Sequence, residues 1–473
     1  MAFDITIRHP AYLKYSTTWQ LMRDASEGED AIKARGETYL PMKSGTKAIA
    51  DLAKRMASYD AYRARAEFPE LLAPTVRGAV GVMLDDPAVI ELSPKLELLR
   101  ERATPDGLTL DGLHRRIAME VMATGRYGLL PGVDENGNPH LAGYCTEAIV
   151  NWDGENYVVL CETADVRDPA TNKWSSVDRY RECYIEENGT YAAREWTKTD
   201  KGEWIYGDVV MAATPKKNAV GVPFVFIDTN DLTATPDDVP LYGLAKLSTR
   251  IYRLDADYTF ALHMTSEPTP VVIGFDDAKT AQKNGNVPTT LGAGTLWVLP
   301  KGADAKYLEF SGPGLEAQKG AINDALMRAR AFGAQLLSDV GKSAESGDAL
   351  KLRLGSQTAT IKTIAMNTAA GLERALRNLA VWVGDDPEKC VVTPNLDFFD
   401  KTLSAQEITA IVSGWQAGAY SWRTAFDRLK EGGVVPDDRT PEDELALITE
   451  DQVTAADQLA ATTLPNHAPG AGV

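Results

Sequence analysis

The stretch from Pro240 to Gly384 constrains this fold most: two matched helical segments enclose a small β-rich block, then a short Gly/Ser loop leads into a longer helix. Leu247, Ile251, Leu254, Tyr258 and Leu262 advance in steps that place them on one helical face. Pro268 and Pro270 end that segment. After Gly312-Pro313-Gly314 the stripe returns as Ile322, Leu326, Ala329, Gly333 and Leu336. Each segment holds roughly 20 residues, so each leg is roughly 30 Å long at 1.5 Å per residue. Matched lengths predict an out-and-back excursion with a β tip between the legs. An enzyme rarely needs such a stalk; a ring-forming or channel-forming protein does.

The rest of the chain reads as α+β. Residues 11–130 are mostly helical in pattern, over 12–40 and 48–66, with Trp19, Met22 and Ile32 as apolar anchors and an apolar-rich segment at 71–83. Asp106-Gly107-Leu108-Thr109-Leu110 turns into a helix buried through Leu113, Ile117 and Val121 and closed by Gly125. From about 127 to 228 the period changes to two. Asn136-Gly137 and Asn188-Gly189 are hairpin signals, the second between strands at 181–186 and 190–197. Further strands are predicted at 157–160, 204–206 and 223–227, giving an antiparallel β region on a helical base.

Past the loop at 339–346, the longest helix runs over about 348–383, with Leu352, Ile361, Ile364, Leu372, Leu376, Leu379 and Val383 as buried positions. Gly355 and Gly371 interrupt it, each costing roughly 1 kcal/mol against alanine. They read either as a bend near Gly355 or as close packing against another helix. Residues 402–450 form a compact helical end. Ser404 and Glu407 make a capping-box pattern, and Gly418 precedes a helix beginning near Ser421 that Gly432-Gly433 closes. Residues 451–473 read as a disordered tail.

A length of 473 residues predicts about three domain-sized units, or one core with elaborations. With 44% hydrophobic and 25% charged residues, the composition is that of a globular protein. No apolar run is long enough to cross a membrane, and the Met1-Ala2-Phe3-Asp4 start lacks the features of an export signal, so neither membrane insertion nor export is expected. Cys145, Cys161, Cys183 and Cys390 lie far apart, which predicts buried free thiols in a reducing cytoplasm. The 49 basic against 67 acidic residues, −18 overall, argue against a broad basic surface that grips nucleic acid. The same charge is compatible with a channel that lets DNA slide, and equally with solubility alone.

Recognisable chemistry is absent. Gly341-Lys342-Ser343 ends like a phosphate-binding loop, but Leu336 stands where that loop needs a glycine, and the order is helix–loop–helix. Asp134-Glu135-Asn136-Gly137-Asn138 has its glycine out of place for a calcium loop, and Cys145 stands where the closing glutamate belongs, so a hairpin turn is expected. His9, His114, His140, His263 and His467 make no metal-binding pair, and His263 reads as a satisfied structural histidine. Asp85-Asp86 and Asp237-Asp238 lie in Pro-flanked turns. The residues thus predict no catalytic, cofactor or metal site.

A family resemblance runs through the chain in order. It is carried by Pro240-Leu241, Leu244-Ala245, Tyr252-Arg253, Ala256-Asp257-Tyr258, Leu262-His263, Pro268-Thr269 and Val272-Ile273-Gly274, then by Tyr307-Leu308-Glu309-Phe310-Ser311-Gly312-Pro313-Gly314-Leu315 and Gly333-Ala334-Gln335-Leu336-Leu337. It extends to Ile149-Val150-Asn151-Trp152, Val222-Pro223-Phe224-Val225-Phe226-Ile227 and Asn395-Leu396-Asp397-Phe398-Phe399. The chain resembles the portal (head-to-tail connector) proteins of tailed bacteriophages. The ordered series carries the likeness, not any single motif.

The resemblance implies a mainly helical wing with an antiparallel β region (1–245), stem helices at 246–267 and 313–337 around a small β clip (268–312), and a tunnel loop at 338–347. A long helix returning to the wing (348–401) and a helical crown (402–450) follow. Clip strands are expected at 270–275, 295–299 and 306–310. The loop Val340, Gly341, Lys342, Ser343, Ala344 and Glu345 would face DNA in the channel, with Lys342 as its cation. Leu247, Ile251, Leu254, Tyr258, Ile322, Leu326 and Leu336 would pack neighbouring stems together. The implied assembly is a twelve-subunit homo-oligomeric ring at one capsid vertex, built in the host bacterial cytoplasm. Its implied partners are double-stranded DNA, terminase, adaptor or tail proteins, and the major capsid and scaffold proteins, with no membrane. The alternatives are another phage head–tail ring protein or an acidic cytoplasmic enzyme.

Overall fold

The computed structural model describes residues 3–134, 136–199, 201–207, 210–211, 221–266, 269–274, 277–283, 298–299, 301–308, 313–331, 347–396, 398, 405–436 and 438–449. They fall into two compact units, Met1–Leu396 and Asp397–Val473.

The first unit begins with helices. The predicted helix over 12–40 is divided: α1 (Pro10–Glu27) stops at Gly28, and α2 (Glu29–Ala34) starts anew. Gly28 has φ +103°, and its N–H closes α1 on the Asp24 carbonyl at 3.1 Å. Such a backbone turn strains any residue with a Cβ, and no helical periodicity reveals it. After α3 (Ser44–Lys47), Asp51 caps α4 (Leu52–Arg65) by accepting the Lys54 N–H at 3.1 Å. Next come α5 (Leu72–Met83), the short strand β1 (Val89–Glu91) and α6 (Leu110–Thr124). Thr109 caps α6, left-handed Gly125 ends it, and Leu113, Ile117 and Val121 are fully buried along its predicted stripe.

Hairpin β2 (Arg126–Val133) and β3 (Pro139–Cys145) turns at 134–138, where Asp134 Oδ1 accepts the N–H groups of Asn136 and Asn138. The supposed calcium loop is thus an Asx-type turn. Five further strands follow, β4 (Ile149–Asp153), β5 (Tyr157–Arg167), β6 (Trp174–Ile185), β7 (Tyr191–Lys198) and β8 (Trp204–Tyr206). The last two of the region are β9 (Val210–Met211) and β10 (Val225–Asp228). They form two antiparallel sheets, β10–β2–β3 and β4–β5–β6–β7–β8, with β9 on β7. Strands β5 and β6 are much longer than predicted, because their outer halves are polar and exposed and carry no inward apolar row. Tyr144 of β3 donates to Glu162 of β5 at 2.6 Å, and Arg181 of β6 pairs with the same carboxylate at 2.7 Å, which joins the sheets.

The excursion consists of α7 (Tyr242–Ser266), β11 (Thr269–Ile273), α8 (Ala278–Lys283), β12 (Asp304–Leu308) and α9 (Pro313–Ala331). Strands β11 and β12 pair antiparallel with Thr269 opposite Leu308. The 36-residue α10 (Gly347–Trp382) then packs on α6, β2 and β10. Ile361, Ile364, Leu372, Leu376 and Leu379 are buried as predicted, whereas Val383, expected in the core, is half-buried just past the helix end. There Lys95 Nζ donates to the Val383 and Gly384 carbonyls at 2.7 and 3.2 Å. Helical backbone continues through Gly355. At Gly371 a Cβ would lie 2.5 Å from Ile227 Cγ1, so close approach explains that glycine, and the neighbour is a strand of the sheet. Strand β13 (Val391–Thr393) closes the unit by pairing with β1.

The second unit contains α11 (Ala405–Gln416), α12 (Trp422–Glu431) and a helix at 441–449, with Phe426, Leu429 and Val435 at its core. Ser421 caps α12 by accepting the Thr424 N–H at 3.3 Å. The predicted cap at Ser404 and the tail at 451–473 lie outside the described residues. All four cysteines are free; Cys183 and Cys390 are buried, but Cys145 and Cys161 are only half-buried, on strand positions open to one side.

Candidate functional site

The feature that sets this chain apart is the α7–α9 pair. Twenty-five residues make α7 about 37 Å long, and nineteen make the described part of α9 about 28 Å. The base of α7 is embedded: Leu244, Ala245, Ser248, Thr249, Ile251, Tyr252 and Ala256 are buried. That face lies roughly 100° around the helix from the predicted stripe. Leu247, Leu254 and Tyr258 are half-buried, and only Ile251 belongs to both faces. Ala245, Ser248, Thr249 and Ala256 let α7 approach the body closely, so Leu247 and Leu254 fall to the flank while Leu244 and Ile251 stay in the core. On α9, Ala325 and Ala329 are buried, with Ile322 and Leu326 half-buried beside them.

Above Ala256 the pair leaves the core, and a polar clamp holds it. Tyr62 on α4 donates to Asp257 Oδ1 at 2.8 Å, and Lys43 Nζ lies 3.1 Å from the same oxygen. That ammonium sits 3.9 Å from the Phe260 ring centre and 4.5 Å from Tyr62, a cation–π contact with both. Burial, then the bond to Asp257, pushes the Tyr62 phenol well above its usual range. The Glu67 N–H donates to Asp255 Oδ2 at 2.8 Å, and Arg65 Nη2 lies 3.1 Å from His263 Nε2. Burial raises the Asp255 carboxyl, and that backbone donor opposes it. Large apolar side chains of the pair and its tip face solvent: Met264 is 62% and Met327 64% exposed, and Leu262 and Ile273 are exposed as well.

A family model described as "Domain of unknown function (DUF4055)" matches residues 240–383, which are the helix pair, its tip and α10. No curated protein matches the chain. Among solved structures, a protein from the neck of an empty GTA particle, computed with C6 symmetry, is 16% identical over 78% of this chain and 91% of that one, with a TM-score of 0.38. One from the neck of a native GTA particle, computed with C12 symmetry, is 14% identical over 77% and 90%, with a TM-score of 0.35. An HK97 family phage portal protein from Corynebacterium diphtheriae is 13% identical over 69% and 94%, with a TM-score of 0.28. The chain is similar to phage portal and GTA neck proteins.

Of the positions expected to pack neighbouring stems, Leu247, Ile251, Leu254 and Tyr258 lie along α7, and Ile322 and Leu326 along α9. Leu336 and the whole loop Val340, Gly341, Lys342, Ser343, Ala344 and Glu345 lie outside the described residues. Of the predicted clip strands, those at 270–275 and 306–310 correspond to β11 and β12 shifted toward the chain start, and most of 295–299 is outside. Sequence reasoning missed α8 and the clamp. Asp255 and Asp257 flank a buried Ala256 in a helical pattern, and their partners lie far away in sequence. Among the described residues no group of three His, Cys, Asp or Glu side chains is placed to hold a metal, and no helix is long and apolar enough to cross a membrane.

Proposed function

We propose that this chain is a subunit of a portal-type ring, a DNA channel at one capsid vertex used for genome packaging, retention and ejection. The observation that carries this reading is the α7–α9 pair, which leaves its own core with Leu262, Met264 and Met327 exposed. A two-helix leg with uncovered apolar side chains on both helices gains most by packing against identical legs around an axis. The ordered likeness to portal proteins supports the same arrangement. Residues 1–245 are then the wing, 246–267 and 313–337 the stem, 268–312 the clip, 348–401 the returning helix and 402–450 the crown.

In this arrangement the loop from Val340 to Glu345 faces the channel, and Lys342 meets phosphates transiently as duplex DNA passes. Twelve copies, each carrying −18, form an anionic ring that disfavours stable DNA adhesion and favours passage. Terminase during packaging, adaptor or tail proteins afterwards, and capsid and scaffold proteins during assembly are the partners. The protein is structural, with motor chemistry supplied by terminase, and it ends in the virion after assembly in the host cytoplasm. Negative-stain imaging with mass photometry tests this: rings with a central hole are expected, and a monomer at micromolar concentration overturns it.

A further inference from the structure

The base of α7 has another face that the apolar leg does not use. Lys246, Arg250 and Arg253 succeed one another over about 10 Å of helix and line a cavity of about 580 Å³ against Ser16, Thr17 and Gln20 of α1. Among the described residues no aspartate or glutamate lines it, although acidic residues outnumber basic ones 67 to 49 in the chain. Asp24, one turn beyond Gln20 on α1, is already engaged: Arg35 Nε donates to it at 3.0 Å, Tyr39 Oη at 2.6 Å and Gln20 Nε2 at 2.9 Å. The Tyr39 carbonyl accepts from Arg253 Nε at 2.6 Å, which anchors that guanidinium while leaving its terminal nitrogens available. Lys246 Nζ rests 5.3 Å from the Tyr242 ring centre. Among the described residues, neither Lys246 nor Arg250 has a carboxylate partner.

We propose that this cavity binds a small phosphate-bearing anion, of nucleotide size or less. Two guanidinium groups and an ammonium converging on one space suit the several oxygens of a phosphate or diphosphate, and guanidinium donors match them in pairs. The Thr17 hydroxyl and the second N–H of the Gln20 amide add neutral donors on the opposite wall, while the Ser16 hydroxyl donates to the Leu13 carbonyl at 3.0 Å. The volume is within the usual range for small-ligand sites, and the pocket opens to solvent beside the exposed Lys246, Arg250 and Arg253. The inference is independent of the ring reading.

Titration calorimetry of the full chain with inorganic pyrophosphate tests it. We expect saturable binding at one site per chain, with affinity falling about tenfold between low and physiological salt. Lys246→Ala and Arg250→Ala should each weaken it by about tenfold, with circular dichroism unchanged because both side chains are exposed. No saturable heat at millimolar pyrophosphate overturns the proposal, as does undiminished binding by the double variant. Binding of a short DNA duplex that requires Lys246 and Arg250, without pyrophosphate binding, overturns it in favour of a nucleic-acid backbone contact.

Discussion

Arg126 and Asp228 face each other across the β2–β10 ladder, joined by two 2.6 Å bonds, Nε to Oδ1 and Nη2 to Oδ2. Their side chains are 1% and 0% exposed, and the guanidinium lies against the rings of Trp152 and Phe226, 5.2 and 4.9 Å from their centres. This pair pins the three-stranded sheet at the strand ends on which α6 and α10 rest.

Breaking the pair by one side should cost far more than replacing both members. Arg126→Met leaves a carboxylate buried without its counter-ion, and a loss of about 3–5 kcal/mol is expected. Burial already raises the Asp228 carboxyl, and Arg126 is what opposes that rise. Without Arg126 the folded-state pKa moves further above the unfolded value, so this group favours folding at low pH and the gain is lost as pH rises through the folded pKa. Urea unfolding should therefore show Arg126→Met losing further stability relative to the parent as pH rises past about 7, the folded pKa of Asp228 in the parent. The double variant Arg126→Met/Asp228→Leu should lack that slope and recover much of the loss; a single variant as stable as the parent would refute the pinning role.

His114 supplies the opposite sign. It is buried between α6 and α10, with Thr368 Oγ1 3.5 Å from Nε2, and burial lowers its pKa to about 4. The unfolded chain takes up a proton near pH 6.5 that the folded chain refuses, so stability is lost as pH falls from about 6.5 toward 4. The loss at pH 5 should be about 2 kcal/mol. His114→Leu should flatten the dependence in that window when unfolding midpoints are compared at pH 7 and pH 5. An unchanged slope would remove His114 as its source.

Leu254 and Leu326 are half-buried in the single chain, so aspartate at either position is tolerable there and intolerable between packed legs. Leu254→Asp and Leu326→Asp should each yield folded protein that fails to form rings, since burying an unpaired charge costs several kcal/mol. Light scattering after size exclusion separates the cases. Full rings from both variants would count against leg-to-leg packing.

Deletion of Gly341 to Ala344 should leave ring formation intact and impair packaging or retention of DNA in assembled heads. Lys342→Ala should show no nucleotide-binding defect in calorimetry, because Leu336 removes the glycine such a loop needs. DNA-filled particles at normal yield from the deletion would displace the loop from the channel.

What was legible in the sequence follows physical locality. Asn188-Gly189 and Gly125 fix the backbone where they stand, and the structure turns at both. The stripe Ile361, Ile364, Leu372, Leu376 and Leu379 reads correctly because α10 buries one wide apolar face. On α7 the stripe misled in part: beside Leu244, Ile251 and Tyr252 the core takes Ala245, Ser248 and Ala256, whose small side chains allow close approach and which a hydrophobic pattern undervalues. The cavity at Lys246 and the clamp at Asp257 were illegible, because each depends on partners at the opposite end of the first unit's chain, in α1 or α4.

The outer half of the β5–β6 hairpin has no packed face. From Thr163 to Asp178 no side chain is buried, and Trp174 at its end is 68% exposed, while Val158, Val159 and Leu160 nearer the base are fully covered. An isolated two-stranded ribbon is marginal in water, so this one persists by continuity with the sheet beneath it. Hydrogen bonding there is renewed by re-zipping rather than guarded by burial. Amide exchange should be rapid at Asp165 to Arg167 and slow at Val158 to Leu160, with the boundary falling within a single continuous strand.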